Sequence, residues 1–511
     1  MVKTIGAFSS LYLATLLLLV GSGLFNTYLG LRLAADNVSE IWIGGLIAVY
    51  YLGLVFGARI GHKIIIRVGH IRAYTATAAM VTVTVLALAL IDNLYTWLGL
   101  RFVAGLAMVT QFMVLESWLN EQTENHQRGT VFAFYMVFSG LGTVLGQLAL
   151  TLFPRLNYEP LMFVAICSSL CLIPVALTRR LHPALQLPAP LHVRYYVLRV
   201  PLSLLVLFVA GAISGAFYGL APVYASKQGL ASSQVAVFIA ASVAMGLVAQ
   251  WPLGWLADRV NRAAMIRVNA LLLAVLSVPL WGWWSFPYWA LVAFSAVFGA
   301  LQFTLYPLGA AFANDNVESD RRVGLSAILY MVYGIGACLG PLLAGVLMRE
   351  ISDSMYFVFV SACAVILVVF VRAQRISGSH LSQDAPTQFV PMGDSLEGSS
   401  VVPVLDPRVD PDSDKSFQPM SAEEMELPVL PDEPGVSEQS VQTAEQGVGP
   451  EGTSGAAPAS AIAEATGATG AASAASMTEP ASVPADAKQA STQASSGQAA
   501  QPFRASGSVE V

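Results

Sequence analysis

Charge is scarce in this sequence. Only 11% of its 511 residues are Asp, Glu, Lys or Arg, against roughly 25% in soluble domains, and an enzyme of ordinary water-soluble composition is excluded over most of the length. Histidine is scarce too. The six, at positions 62, 70, 126, 182, 192 and 380, fall in predicted loops without metal-ligand spacing, so no metal site is expected. Cys167, Cys171, Cys338 and Cys363 sit inside apolar segments and read as buried thiols rather than a disulfide framework. No Gly-x-x-x-x-Gly-Lys-Ser/Thr loop occurs, so nothing suggests ATP as an energy source, and no cofactor is called for. The basic residues lie at segment ends rather than in one patch, which argues against a nucleic-acid partner.

What fills the sequence instead is apolar: 55% of residues are hydrophobic. Twelve segments approach the roughly 20 residues needed to cross a bilayer, with approximate limits 8–31, 41–63, 73–91, 95–118, 129–152, 160–180, 200–224, 233–256, 265–284, 288–312, 324–348 and 355–373. The first is longer than a signal-peptide apolar region and lacks a clear small-residue cleavage site, so it is expected to be retained. Helices satisfy their own backbone groups, which makes them the expected form in lipid. The segments repeat. Trp97 is matched by Trp289 and Arg67 by Arg259, both 192 residues on, while Gly105 is matched by Gly299 and Arg128 by Arg322, both 194 residues on. Tyr135-Met136-Val137 recurs as Tyr330-Met331-Val332, and Gly142-x-x-Leu145-Gly146 recurs as Gly336-x-x-Leu339-Gly340. A duplication of six spans puts both copies in the same orientation, related by an axis along the membrane normal, and solute sites in such proteins lie between the halves.

The net charge of −6 conceals a boundary. Residues 1–375 hold 22 Lys/Arg against 13 Asp/Glu, and residues 376–511 hold 4 against 19. The expected organisation is therefore a six-helix half at 1–190, a second at 191–375, and an acidic, disordered tail at 376–511 that ends rich in Ala, Ser, Gly, Thr and Gln. Placing both termini in the cytoplasm puts seventeen of the Lys/Arg on the inner side and four, Arg32, Arg155, Lys227 and Arg349, on the outer side, as the positive-inside bias requires. Trp281, Trp283, Trp284, Tyr288 and Trp289 then fall in the outer headgroup layer. A solvated tail should be dispensable, so truncation near Ser379 is expected to leave folding and function intact. A cytoplasmic partner for it is the second reading.

With Gly254-Trp-Leu-Ala-Asp258-Arg259-Val-Asn-Arg262 between spans eight and nine, the chain resembles the major facilitator superfamily and its loop motif Gly-x-Leu-Ala-Asp-Arg-x-Gly-Arg. Arg101-Phe-Val-Ala-Gly105, Glu116-Ser117, Tyr218-Gly-Leu-Ala-Pro222-Val-Tyr224, Gln250-Trp-Pro-Leu-Gly254 and Phe303-Thr-Leu-Tyr-Pro307 look like the poorly characterised bacterial YcaD-type members. The resemblance covers residues 8 to about 375. It implies an all-α integral membrane protein of twelve helices in a bacterial inner membrane, working by alternating access. It also implies a cytoplasmic gate in which Asp258 is the stronger latch, Arg259 and Arg262 remain at the surface, and Arg128 or Glu121 is a partner. The first-half copy of the motif is degraded, with Ile66 where an acid is expected.

Arg101 and Glu116 in span four are about 22 Å apart along a helix and about 60° apart around it, too far to pair, yet they share a broad face with Gly105, Met108 and Phe112. A charge at mid-bilayer costs on the order of 3 kcal/mol, so each needs a partner or a wet cavity. The resemblance associates the span-four arginine with proton coupling or anion binding; packing and a carbonyl hydrogen bond are its structural alternative. For Glu116 a proton or substrate role stands against a place in the cytoplasmic interface. Asn26, Gln111, Tyr218, Gln302 and Tyr306 complete the candidate pathway, on helices that the resemblance assigns to the cavity. Gly142, Gly146, Gly336 and Gly340 read as close helix packing. Two departures weaken specific analogies: Gly146 is followed by Gln147 where related antiporters carry Gly-Pro, and span one has no acid. The expected function is secondary active transport of a small organic solute, coupled to protons. A multidrug or metabolite exporter, and a transporter-like receptor or scaffold, are the alternatives.

Overall fold

In a computed structural model, the described residues are 8–123, 127–177, 192–371, 381–383, 385–392, 398–399, 406 and 408. The expected boundary between the halves near residue 190 lies outside them, as does most of the tail. The spans are Ser9–Ala35, Glu40–Val68, His70–Leu90, Leu94–Glu121, Arg128–Ala149, Glu159–Ala176, Pro201–Lys227, Ser232–Ala257, Arg262–Ser277, Tyr288–Asn314, Arg322–Glu350 and Met355–Phe370. Eleven are long and apolar enough to cross a membrane, and the twelfth is a shorter apolar helix. Several run beyond their expected limits. Span two continues through His62 to Val68, and His70 opens span three, so neither histidine is in a loop.

Local chemistry sets the ends. Gly69, at φ +83°, turns the chain between spans two and three in a conformation that a side chain would strain. Asn93 and Asn261 cap spans four and nine by accepting backbone N–H bonds. One helix was not expected: Val193–Arg199 lies before span seven, tied down by Tyr196 Oη donating to the Arg321 carbonyl at 3.0 Å and Arg199 Nε donating to the Asn316 carbonyl at 3.0 Å.

The duplication is visible as packing. Gly142 and Gly146 of span five lie against the backbone of span one at Leu16 and Val20, and Gly336 and Gly340 of span eleven lie against span seven at Phe208 and Ala212. In the same way Gly105 meets the Tyr50 carbonyl of span two, and Gly299 meets the Ser242 carbonyl of span eight. A β-carbon on Gly340 would stand 2.0 Å from the Ala212 carbonyl oxygen. Without one, the helices approach closely enough for dispersion contacts to hold them where water cannot drive association.

The halves meet through spans two and eleven, five and eight, and one and seven. Towards the arginine-poor ends, taken as outer, the contacts are backbone-close: Gly44 faces the Pro341 carbonyl, Gly345 the Glu40 carbonyl and Gly30 the Gly219 carbonyl. Lys227 adds an ion pair across the halves to Glu40 at 3.0 Å and one within its own half to Asp353 at 3.1 Å.

Candidate functional site

A small pocket lies between the halves. Ser22, Gly23 and Asn26 of span one, Tyr50 and Tyr51 of span two, Thr143 of span five and Tyr218 of span seven line it, with room for about one or two water molecules. Arg101 of span four, fully buried, lies behind the lining residues Asn26 and Tyr50. Its Nη2 donates to Asn26 Oδ1 at 2.9 Å, and its guanidinium lies 4.3 Å from the Tyr50 ring centre and 4.7 Å from that of Phe25. Each desolvated cation–π contact contributes up to about 2 kcal/mol, which offsets much of the burial cost. The offset leaves donors over: Nε and Nη1 are buried without a hydrogen-bond partner among the described residues.

Of the remaining expected pathway residues, Tyr218 joins this region. Tyr218 lines the pocket and packs its ring 6.1 Å from Phe303. Gln302 is buried, with Nε2 donating to Ser214 Oγ at 3.4 Å and Oε1 without a described partner. Tyr306 sits edge-on to Tyr333 at 5.1 Å. Gln111 does not join Tyr218. It accepts a long contact from Cys171 Sγ at 3.9 Å on the span-six side, about 80° around the helix from Arg101 in the sense opposite to Glu116.

Glu116 is fully buried. Tyr135 Oη donates to it at 2.8 Å, and the Ser399 backbone N–H donates at 3.0 and 3.2 Å to its two oxygens. Ser399 Oγ also donates to Oε2. Burying a carboxylate requires such donors, and two of the three come from the tail. Gly398, beside Ser399, accepts from Tyr330 Oη at 3.2 Å. The described part of the tail is therefore not a solvated extension.

The loop motif is rearranged in the same way. Asp258 accepts from Arg262 Nη2 at 3.1 Å and from the Phe389 backbone N–H at 2.7 Å. Arg128, one of the expected partners, does not reach it among the described contacts. Arg128 opens span five with Nε buried and without a hydrogen-bond partner among the described residues, and the side chain of Glu121 lies outside the described residues. Arg259 stays at the surface, over the Trp255 ring at 3.8 Å. Arg262 does not, and this corrects the expectation: it is buried, with Nη1 donating to Asp315 Oδ1 at 2.6 Å, the Ala311 carbonyl at 3.1 Å and Thr387 Oγ1 at 3.1 Å. An acid at the foot of span ten, missed in the sequence, draws it in. Thr387 also donates to Asp315, through N–H at 2.8 Å and Oγ1 at 2.9 Å.

Twelve helices duplicated about a central pocket match a known pattern at the level of sequence. Residues 11–286 match the profile of the Major Facilitator Superfamily. The chain belongs to that superfamily. An uncharacterized MFS-type transporter of Enterobacter sp. (strain 638) is 30% identical over 371 residues, which span 71% of this chain and 94% of that protein. The uncharacterized MFS-type transporter YcaD of Shigella flexneri is 28% identical over 360 residues, 69% of this chain and 92% of that one. The backbone is similar to that of the nucleoside transporter NupG, with a TM-score of 0.60 at 14% identity over 71% of this chain and 98% of that one. A D-xylose-proton symporter gives 0.60 at 12% identity over 75% and 98%. At those identities the likeness shows the fold. Membership makes this superfamily protein a multi-pass transporter rather than an enzyme.

Proposed function

We propose that the protein moves a small polar solute through the Arg101 pocket by alternating access, with proton coupling at Glu116. The observation that carries this reading is the buried guanidinium with two spare donors beside Asn26, Tyr50 and Tyr218. A solute oxygen bearing negative charge would satisfy those donors where nothing else does, and a charge-assisted bond of this kind is about twice as strong as a neutral one. Opening the pocket to either side needs the halves to rock, since its present volume admits no organic solute. Glu116 fits a proton carrier because both its charged and its neutral form can be held. Tyr135 donates to the carboxylate, and a protonated carboxyl can donate in turn. The nucleoside transporter and the xylose-proton symporter of similar fold make a small hydroxylated or anionic solute a sensible first choice. The orientation consistent with the charge bias has both termini in the cytoplasm of a bacterium and the chain in its inner membrane.

Uptake into liposomes tests the proposal. Radiolabelled nucleosides, sugars, sugar acids and carboxylates would be offered to the purified full chain and to Arg101→Lys. Accumulation of one class, reduced at least tenfold in affinity by the substitution, is the expected result. Equal uptake by both proteins would remove Arg101 from the site.

A further inference from the structure

The inner mouth between the halves is occupied by the chain's own tail. Three anchors hold it. At the first, Phe389, Val390 and Met392 are buried although they follow the last span, and the Phe389 ring sits where Gly254 has no side chain. A β-carbon on Gly254 would stand 2.2 Å from that ring. At the second, Thr387 and the Phe389 N–H bind the Asp258–Arg262–Asp315 cluster of the second half, and the Ser382 N–H donates to the Asp315 carbonyl at 2.9 Å. At the third, Ser399 crosses to Glu116 of the first half while Gly398 remains bonded to Tyr330 of the second. Arg408 then returns to the second half, its carbonyl accepting from Arg322 Nη1 at 2.7 Å, with its own side chain paired to the buried Asp406.

We propose that the described tail residues 381–383, 385–392 and 398–399 form an intramolecular plug that bridges the two halves at the cytoplasmic mouth and slows transport until the segment withdraws. The inhibitory part rests on the transport reading above; the docking does not. The physical reasons are three. A segment bonded to both halves resists the relative motion that alternating access needs. Its Ser399 occupies the acceptor oxygens of Glu116, the group assigned to the proton. And the segment is tethered only about ten residues beyond span twelve, so its effective concentration is on the order of millimolar and weak contacts suffice to keep it docked. Weak docking is also what makes release practical. Composition agrees, since the tail carries 19 acids but the stretch 381–392 contains only Asp384.

The test uses the full-length chain in inside-out membrane vesicles. Met392→Cys places a thiol on the buried tail, and its reaction with a membrane-impermeant maleimide is compared before and after denaturation. At least tenfold protection in the native chain is expected, with protection lost when Phe389→Asp is added, or when Thr387→Pro is added as an independent disruption. A second reporter, Ser326→Cys, lies one turn from Tyr330 on the same face and is buried. It should react faster once Phe389→Asp has freed the tail. Met392→Cys reacting as fast in the native chain as in the denatured one would overturn the plug. So would Ser326→Cys remaining equally protected with the tail freed. Both readouts need no solute, so a failure of the transport proposal leaves them interpretable. If the transport reading holds, Phe389→Asp should also raise the rate of solute uptake severalfold. An unchanged rate with the tail demonstrably freed would overturn the inhibitory role.

Discussion

Lys227→Met should tilt the protein towards its outward-open state. Lys227 and Glu40 are on different halves and pair at 3.0 Å near the outer ends, whereas Asp353 belongs to the same half as Lys227 and cannot latch the two together. The lysine side chain is 41% exposed and that of Glu40 only 12%. The pair is therefore discounted for solvent screening, to about 1 kcal/mol at the upper end of the range for surface ion pairs. One kcal/mol is about a fivefold change in a two-state ratio, so an outward population of about one in ten would rise to about one in three. Spin labels on Tyr95→Cys and Trp289→Cys, both exposed at the outer ends of spans four and ten, would report that change as growth of a longer-distance component. Glu40→Gln should produce a similar shift, and the double substitution no more than either alone. Raising the salt from about 0.15 M to about 1 M should shrink the difference between wild type and Lys227→Met, because the screening length falls to about 3 Å. An unchanged distance distribution in the folded Lys227→Met protein, or effects that simply add in the double variant, would refute the latch.

Four further outcomes follow from the packing. Gly340→Ala places a β-carbon 2.0 Å from the Ala212 carbonyl and should cost about 1–3 kcal/mol as overpacking, seen as a lowered thermal unfolding midpoint in detergent. Gly45→Ala, with open space around it, should change nothing. Arg262→Ala leaves Asp315 buried without its cation and should destabilise by about 3–5 kcal/mol, with reduced folded yield after extraction. Asn26→Leu removes the side-chain acceptor described for Arg101 Nη2 and should lower solute affinity about tenfold while leaving the unfolding midpoint within a few degrees; a collapse in folded yield would assign Asn26 to stability instead.

Much of the architecture was legible because bilayer thickness and duplication both leave linear marks. Span lengths follow from the apolar runs, and the offset between Gly105 and Gly299 reappears as matched contacts on spans two and eight. What escaped was direction and distance. Gln111 was placed by helix number, whereas which way it faces depends on its angle from Arg101. Arg262 was expected at the surface because basic residues at helix ends usually are; its burial depends on Asp315, 53 residues away. Glu40 and Lys227 are 187 residues apart, and only the closing of the outer ends brings them together. Least legible was the tail. Its composition predicts disorder when averaged over 376–511, but a short stretch with a phenylalanine and few charges needs only a local seat, and Gly254 supplies one. Most of the segment's bonds are made by its backbone, which carries no sequence signature.

The most direct test of the account is proton movement. The purified protein carrying Phe389→Asp would be sealed into liposomes with an internal pH dye, and solutes of the class found by uptake would be added outside, with and without Glu116→Gln. A solute-dependent pH change that disappears in Glu116→Gln, while exchange of labelled for unlabelled solute persists, is the predicted result. The same pH change in both proteins would contradict the assignment of the proton to Glu116. Solute exchange without any pH change in either protein would contradict coupling altogether.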